Sequence, residues 1–115
     1  MNPFRPILTG IHAAKVAGAL FDLGIDVKRL DRAMAARLFE IEKETYGNVS
    51  AREAGLTFFV ENSRSIPTAA YMLPMSRIDF LERATVIVGG WGRSGKLEAS
   101  RAQGCVERLK AEIAR

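Results

Sequence analysis

The residues best suited to do chemistry stand in a glycine-rich stretch, Val86–Leu97. Within it, Gly90–Lys96 has the spacing G-x-x-x-x-G-K, a β-branched run precedes it and a helical pattern follows. Backbone amides of such a turn, together with the amino end of the next helix, bind phosphate, and a lysine there adds positive charge. We therefore expect a helix to begin near Ser94 or Gly95 and an anion-binding or partner-binding turn to form at its start. The residues assigned to that turn are Trp91, Arg93 and Lys96.

The same stretch does not predict nucleotide hydrolysis. A P-loop needs serine or threonine after its lysine to hold magnesium, and Leu97 stands there. The remaining 18 residues are too few for the later strands that would carry further acidic ligands. The single histidine, His12, and the single cysteine, Cys105, are interpreted as packing residues rather than a catalytic pair. We therefore expect a protein that is not an enzyme and that uses no cofactor and no metal.

Basic residues suggest a second kind of chemistry, contacts with nucleic acid. Residues 20–33 approximate the spacing of a helix-turn-helix, with Gly24 at the turn, and they place three cations on the outer face of the following helix. An ordinary helical hairpin with a glycine turn explains the same spacing, and it is favoured because Asp31 lies on the same face and Leu20 stands at the usual alanine position. The last 23 residues carry six basic and three acidic groups, which makes the C-terminal helix a second basic surface. The residues assigned to nucleic-acid contacts are Lys28, Arg29, Arg32, Arg101 and Arg108.

Composition is that of an ordinary globular chain. The chain has 115 residues, of which 48% are hydrophobic and 26% charged, and its net charge is +4. This length suits a single domain, 1–115, with residues 1–6 as an extended lead-in. Because the apolar stretch near the N-terminus is interrupted by His12 and Lys15, we expect no membrane span and a cytoplasmic protein.

Capping residues and periodicity predict the helices that must position these groups. The first helix is expected from Thr9 to Leu23, with Gly24 after its end. The second is expected to be capped by Asp26 and to run to Gly47. Further helices are expected to start at Ala51, behind the Ser50/Glu53 capping box, and at Ser76. The run Gly89–Gly92 is expected to break whatever precedes it.

The resulting fold class is mainly α, a small domain of four to five helices. Residues 56–60, 66–72 and 85–88 are apolar or β-branched, so a two- to three-stranded element is expected between residues 56 and 90. The alternative is an α+β domain in which all three runs pair into a sheet.

The first helix also carries the prediction about function. Gly10, Ala14 and Gly18 recur every four residues and make a groove that admits a second helix, and the helix is apolar nearly all round. These features favour self-association as a homodimer. They also favour a non-enzymatic module that binds a macromolecular partner, with a protein as the preferred partner. The alternative is a small regulator that binds DNA or RNA through the 26–46 helix or the C-terminal helix.

Overall fold

The computed structural model describes residues 4–115. Over these residues the chain is mainly α, as predicted, with five α-helices and two single-turn 3-10 helices. The α-helices are α1 (Arg5–Asp22), α2 (Arg32–Thr45), α3 (Ala51–Asn62), α4 (Arg77–Ser94) and α5 (Ala99–Ala114), and the 3-10 turns are Val27–Arg29 and Thr68–Ala70.

The predicted β element is wrong. No strand forms within residues 4–115, where extended pairing is limited to one antiparallel bridge between Ile25 and Tyr71. Residues 56–60 lie in α3, whose buried side chains surround the helix axis, so their apolar composition reflects a central position in the packing rather than a strand. Residues 85–88 lie in α4.

Helix α1 begins at Arg5, four residues earlier than predicted. Pro6 occupies the first turn, where its missing N–H costs no hydrogen bond. The Thr9 hydroxyl donates to the Arg5 carbonyl at 2.7 Å instead of capping a helix start. The extended lead-in is therefore wrong at residues 5 and 6, and its first three residues lie outside the described chain. The C-terminal end is as predicted, with Gly24 at φ 96°.

The predicted second helix is divided in two because each of two aspartates caps its own turn. Asp26 accepts from the Lys28 amide at 3.1 Å and caps only the 3-10 turn. Leu30 is extended, and Asp31 then accepts from the Met34 amide at 2.9 Å and caps α2. The starts of α3 and α4 are confirmed, since Ser50 and Ser76 accept the amides of Glu53 and Asp79.

The glycine run does not break α4, which continues to Ser94 and ends at Gly95, φ 78°. The predicted start of the last helix near Ser94 is also wrong, because α5 begins at Ala99 behind the cap residue Glu98. Close packing explains one of these glycines. A Cβ on Gly92 would lie 2.8 Å from the Ala102 Cβ, so only glycine allows α4 and α5 to approach so closely.

The described chain divides into two compact units, the first ending at Met72 and the second being Leu73–Arg115. In the first unit α3 packs on α1, and a Cβ on Gly55 would lie 3.1 Å from the Ala19 Cβ. A backbone clasp joins distant parts of this unit: the Met72 amide donates to the Gly24 carbonyl at 2.8 Å and the Asp26 amide to the Ala70 carbonyl at 2.9 Å. The second unit is the hairpin of α4 and α5.

Candidate protein-binding face

One side of α1 is apolar and lies in water. Phe4 is 64% exposed, Ile7 62%, Ile11 48% and Phe21 58%. Ala14 and Gly18 on the same side are exposed as well. We call this set the outward face; its six residues follow one another at spacings of three and four: Phe4, Ile7, Ile11, Ala14, Gly18 and Phe21. That spacing is the one by which a helix presents a seam to a second helix.

The opposite side of α1 forms part of the core. His12, Val16, Ala19 and Leu20 are buried there. Since both sides of the helix are apolar, periodicity could not show which side the fold would bury. The predicted start at Thr9 also left Phe4 and Ile7 outside the helix, so sequence reasoning missed the outward face as a continuous seam. The 3-4 spacing, continued back to Phe4, is the signal that would have found it.

The small residues assigned to self-association, Gly10, Ala14 and Gly18, are all exposed. A Cβ built on Gly10 or Gly18 has no atom of the described residues within 4 Å, so neither glycine is needed for close packing within that part of the chain. The close helix contact inside the first unit is made by Gly55 instead. The predicted groove is therefore open, and self-association through it stays a prediction.

Two grooves flank the outward face. One, of about 770 Å³, lies between α1 and the turn that joins α2 to α3, and Tyr46, Val49 and Arg52 line its far side. The other, of about 410 Å³, has Val27 and Met72 on its far side. Gly18 and Phe21 line both grooves. Gly18 is thus a low point between them, at which another backbone could approach α1.

Charge is confined to the rim of this surface. Lys15 and Asp22 are exposed and share the groove beside Tyr46. Asp22 lies in the last turn of α1, next to the partial negative charge of that helix end. At the other end the N-cap residue, Phe4, makes no side-chain capping bond, and the first turn, Arg5–Leu8, holds no acidic residue. Both ends of α1 therefore lack the charge that would complement them.

His12 anchors α1 to the end of α2. The Thr45 hydroxyl donates to the Ile41 carbonyl at 2.6 Å, so it accepts from the His12 Nε2–H, 3.0 Å away. The Tyr46 ring packs edge-on against the imidazole, with ring centres 5.9 Å apart, and the Arg5 guanidinium lies 5.2 Å from the centre of the Tyr46 ring. These contacts give His12 a structural role.

The predicted anion-binding turn rests on a helix start that the structure does not contain. Trp91 and Arg93 lie in the last turns of α4, where the helix presents backbone carbonyls rather than amides, and this helix end attracts cations instead of anions. Trp91 is only 6% exposed and offers no flat contact surface. Lys96 is exposed in the connection that follows.

The predicted recognition helix is wrong as well. Lys28 and Arg29 lie in the 3-10 turn, and Arg29 Nε is 3.2 Å from Asp26 Oδ2. Arg32 is the first residue of α2, and Ala33, the last residue of the helix-turn-helix spacing, is exposed rather than packed in the core. Arg101 and Arg108 lie on α5, in the other unit. Nucleic-acid binding by these five residues stays a prediction.

Residues 4–115 contain no group of three or more histidine, cysteine or acidic side chains that could hold a metal ion. Cys105 is buried. No described helix is long and apolar enough to cross a membrane. No protein-family model, curated protein or solved structure matches this chain.

Proposed function

We propose that this protein acts by binding another protein through the outward face of α1. The observation that carries the proposal is the continuous exposure of Phe4, Ile7, Ile11 and Phe21 along one side of a helix. Single exposed apolar residues are common on protein surfaces, but a contiguous apolar patch marks a site of interaction.

The area supports this proposal. An aromatic side chain presents about 150–250 Å², so Phe4 and Phe21 leave roughly 250 Å² of aromatic surface in water. With Ile7, Ile11 and Leu8 the exposed apolar area is on the order of 500 Å², near the upper end of what a monomer shows. A partner that covers this surface gains the free energy of removing it from water.

The polar groups beside the face support a binding role rather than catalysis. His12 is held by Thr45 and packs against Tyr46, and Arg5 stacks on the same tyrosine. These groups join α1 to α2 and so hold the outward face on a fixed support. A rigid helix with apolar anchors and a charged rim has the general form of a helix-docking surface.

Site-specific photo-cross-linking in the source cell tests the proposal. Benzoylphenylalanine is placed at Phe21, 58% exposed, and in a matched variant at Phe39, which is 56% exposed on α2 and lies under the Lys43 ammonium at 4.8 Å. We expect a discrete protein adduct, mapped to Phe21 by mass spectrometry, from the first variant and none from the second. Absence of an adduct at Phe21, or equal labelling at both positions, would overturn the proposal.

A further inference from the structure

We propose that the occupant of the outward face is a second copy of this chain, with the two α1 helices antiparallel and Ile7 of each copy opposite Gly18 of the other. This inference rests on the proposed function and names its partner. It follows from the order of side-chain sizes along the face, from the exposed area and from the charges at the two helix ends.

The face is self-complementary only when one copy is reversed. Large side chains occupy its first half, small ones follow, and Phe21 closes it. Reversal places Ile7 opposite Gly18, Ile11 opposite Ala14 and Phe4 opposite Phe21. Each of these pairs contains at least one large side chain, so no gap is left along the contact. In a parallel pair Gly18 would face Gly18 and Ala14 would face Ala14, which leaves unfilled space at the centre of the contact.

The glycine at the low point has the right surroundings for this contact. A Cβ on Gly18 would have no atom of residues 4–115 within 4 Å, while both flanking grooves are lined by this residue. The side chain of Ile7, 62% exposed, projects from the other copy at the same level. Because Gly18 has no side chain, the two backbones can approach closely there, as they do within the chain at Gly55 and Gly92.

Charge favours the same orientation. With Phe21 beside Phe4 of the second copy, Asp22 lies just beyond the N-terminal end of that copy's α1, whose first turn holds no acidic residue. A carboxylate at a helix N-terminus is stabilised by the partial positive charge there. In a parallel pair Asp22 would instead face Asp22 at the negative ends of both helices.

The area is sufficient for a specific dimer. Each copy contributes on the order of 500 Å² of apolar surface from the outward face and Leu8, so the pair buries roughly 1,000 Å² before the rim is included. That meets the minimum of about 1,000 Å² for a biological interface and falls below the range of about 1,200–2,000 Å² for stable ones. We therefore expect a dimer that forms at micromolar rather than nanomolar concentration.

Light scattering coupled to gel filtration provides the first test. We expect a mass of twice 12.6 kDa at high micromolar concentration and dissociation on dilution. Gly18→Leu is expected to raise the dimer Kd at least tenfold while circular dichroism stays unchanged, since the added side chain has open space in the single chain. Gly104→Leu is the matched control, because Gly104 is an exposed glycine of α5 with equally open surroundings, and its Kd should equal that of the wild type.

Cysteine pairs test the orientation in a Cys105→Ala background. The double variant Ile7→Cys/Gly18→Cys keeps the combined size of the layer nearly constant, and on oxidation we expect a disulfide between Cys at 7 of one copy and Cys at 18 of the other. Each single variant should stay uncross-linked, because equivalent residues are then about 16 Å apart along the axis and a disulfide needs Cα atoms within about 7 Å.

The outcomes separate the two proposals. A monomer at high concentration, or cross-linking of the single variants as in a parallel pair, overturns the antiparallel dimer. An adduct at Phe21 with a different protein then leaves the proposed function standing. If no adduct forms at Phe21 with any protein, both proposals fail.

Discussion

Gly92 of α4 lies in close contact with Ala102 of α5: a Cβ on Gly92 would lie 2.8 Å from the Ala102 Cβ and 4.0 Å from the Ala99 Cα. Since both sides of this contact are close to helix backbone, a methyl group there would force the two helices apart. We expect Gly92→Ala to lower the free energy of unfolding by about 1–2 kcal/mol, because overpacking outweighs the better helix propensity of alanine.

Gly104→Ala is the control for that measurement by urea denaturation. Gly104 lies within α5, is exposed, and has nothing within 4 Å of a Cβ. Only the higher helix propensity of alanine acts at this position, so the free energy of unfolding should rise by up to about 1 kcal/mol. If both alanine variants are stabilised alike, the close contact at Gly92 does not exist in solution.

Thr45→Val is expected to destabilise the first unit by about 1–2 kcal/mol. The change removes the acceptor of the His12 Nε2–H bond and the donor to the Ile41 carbonyl, and it leaves a buried imidazole nitrogen without its partner. Thr9→Val serves as the control, because the Thr9 hydroxyl makes the same kind of bond to a carbonyl four residues back but none across helices. If Thr45→Val and Thr9→Val lower the melting temperature equally, the His12–Thr45 bond contributes nothing to stability.

Glu42→Gln is expected to stabilise the protein at pH 7 but not at pH 3.5. Partial burial raises the pKa of Glu42 above its ordinary value of 4.5. The folded state therefore holds this proton more tightly than the unfolded state does. Stability associated with Glu42 is complete below pH 4.5 and decreases as the pH rises through the interval between the unfolded and folded pKa values.

Urea midpoints of wild type and Glu42→Gln at the two pH values check this prediction. Glu44→Gln, at an exposed position of the same helix, controls for the loss of one negative charge. A stabilisation by Glu42→Gln that is equal at pH 7 and pH 3.5 would show that burial of the carboxylate is not its cause.

Glu98→Gln should have the opposite dependence on pH. The Ser100 hydroxyl, then the Ser100 amide and the Arg101 amide, donate to this carboxylate and lower the pKa of Glu98 below 4.5. The carboxylate therefore stabilises the start of α5 above pH 4.5, and this contribution is lost as the pH falls through the lowered pKa. At pH 7 we expect the first-turn amides of α5 to exchange hydrogen faster in Glu98→Gln than in the wild type. At pH 3 the exchange rates of the two proteins should differ less. Glu82→Gln, exposed on α4, should leave these amides unchanged at both pH values.

Signals that depend on one turn of helix predicted the structure well. The Ser50 and Ser76 caps each involve an amide three residues on, so the residues that decide them are neighbours in the sequence. Two helix-capping residues close together in the sequence were harder to interpret. Asp26 and Asp31 are both good cap residues, and only the extended conformation of Leu30 shows that each begins its own turn.

Signals that depend on distant packing misled the prediction. Gly92 has the composition of a breaker, yet its contact is with Ala102 on the next helix, which no local pattern reveals. Residues 56–60 have strand-like composition because α3 is buried on nearly all sides. For the candidate site, the first helix and its small residues were predicted, but which of its two apolar sides faces water depends on where α3 packs.

The clasp between Gly24 and Met72 has a consequence for the order of folding. Its hydrogen bonds join segments separated by almost fifty residues, so a large loop must close before they form, and such contacts slow folding. The α4–α5 hairpin needs only a four-residue connection to meet. During synthesis, the first unit cannot acquire its clasp until Met72 has left the ribosome, whereas the hairpin, which is made after that unit, closes through local contacts.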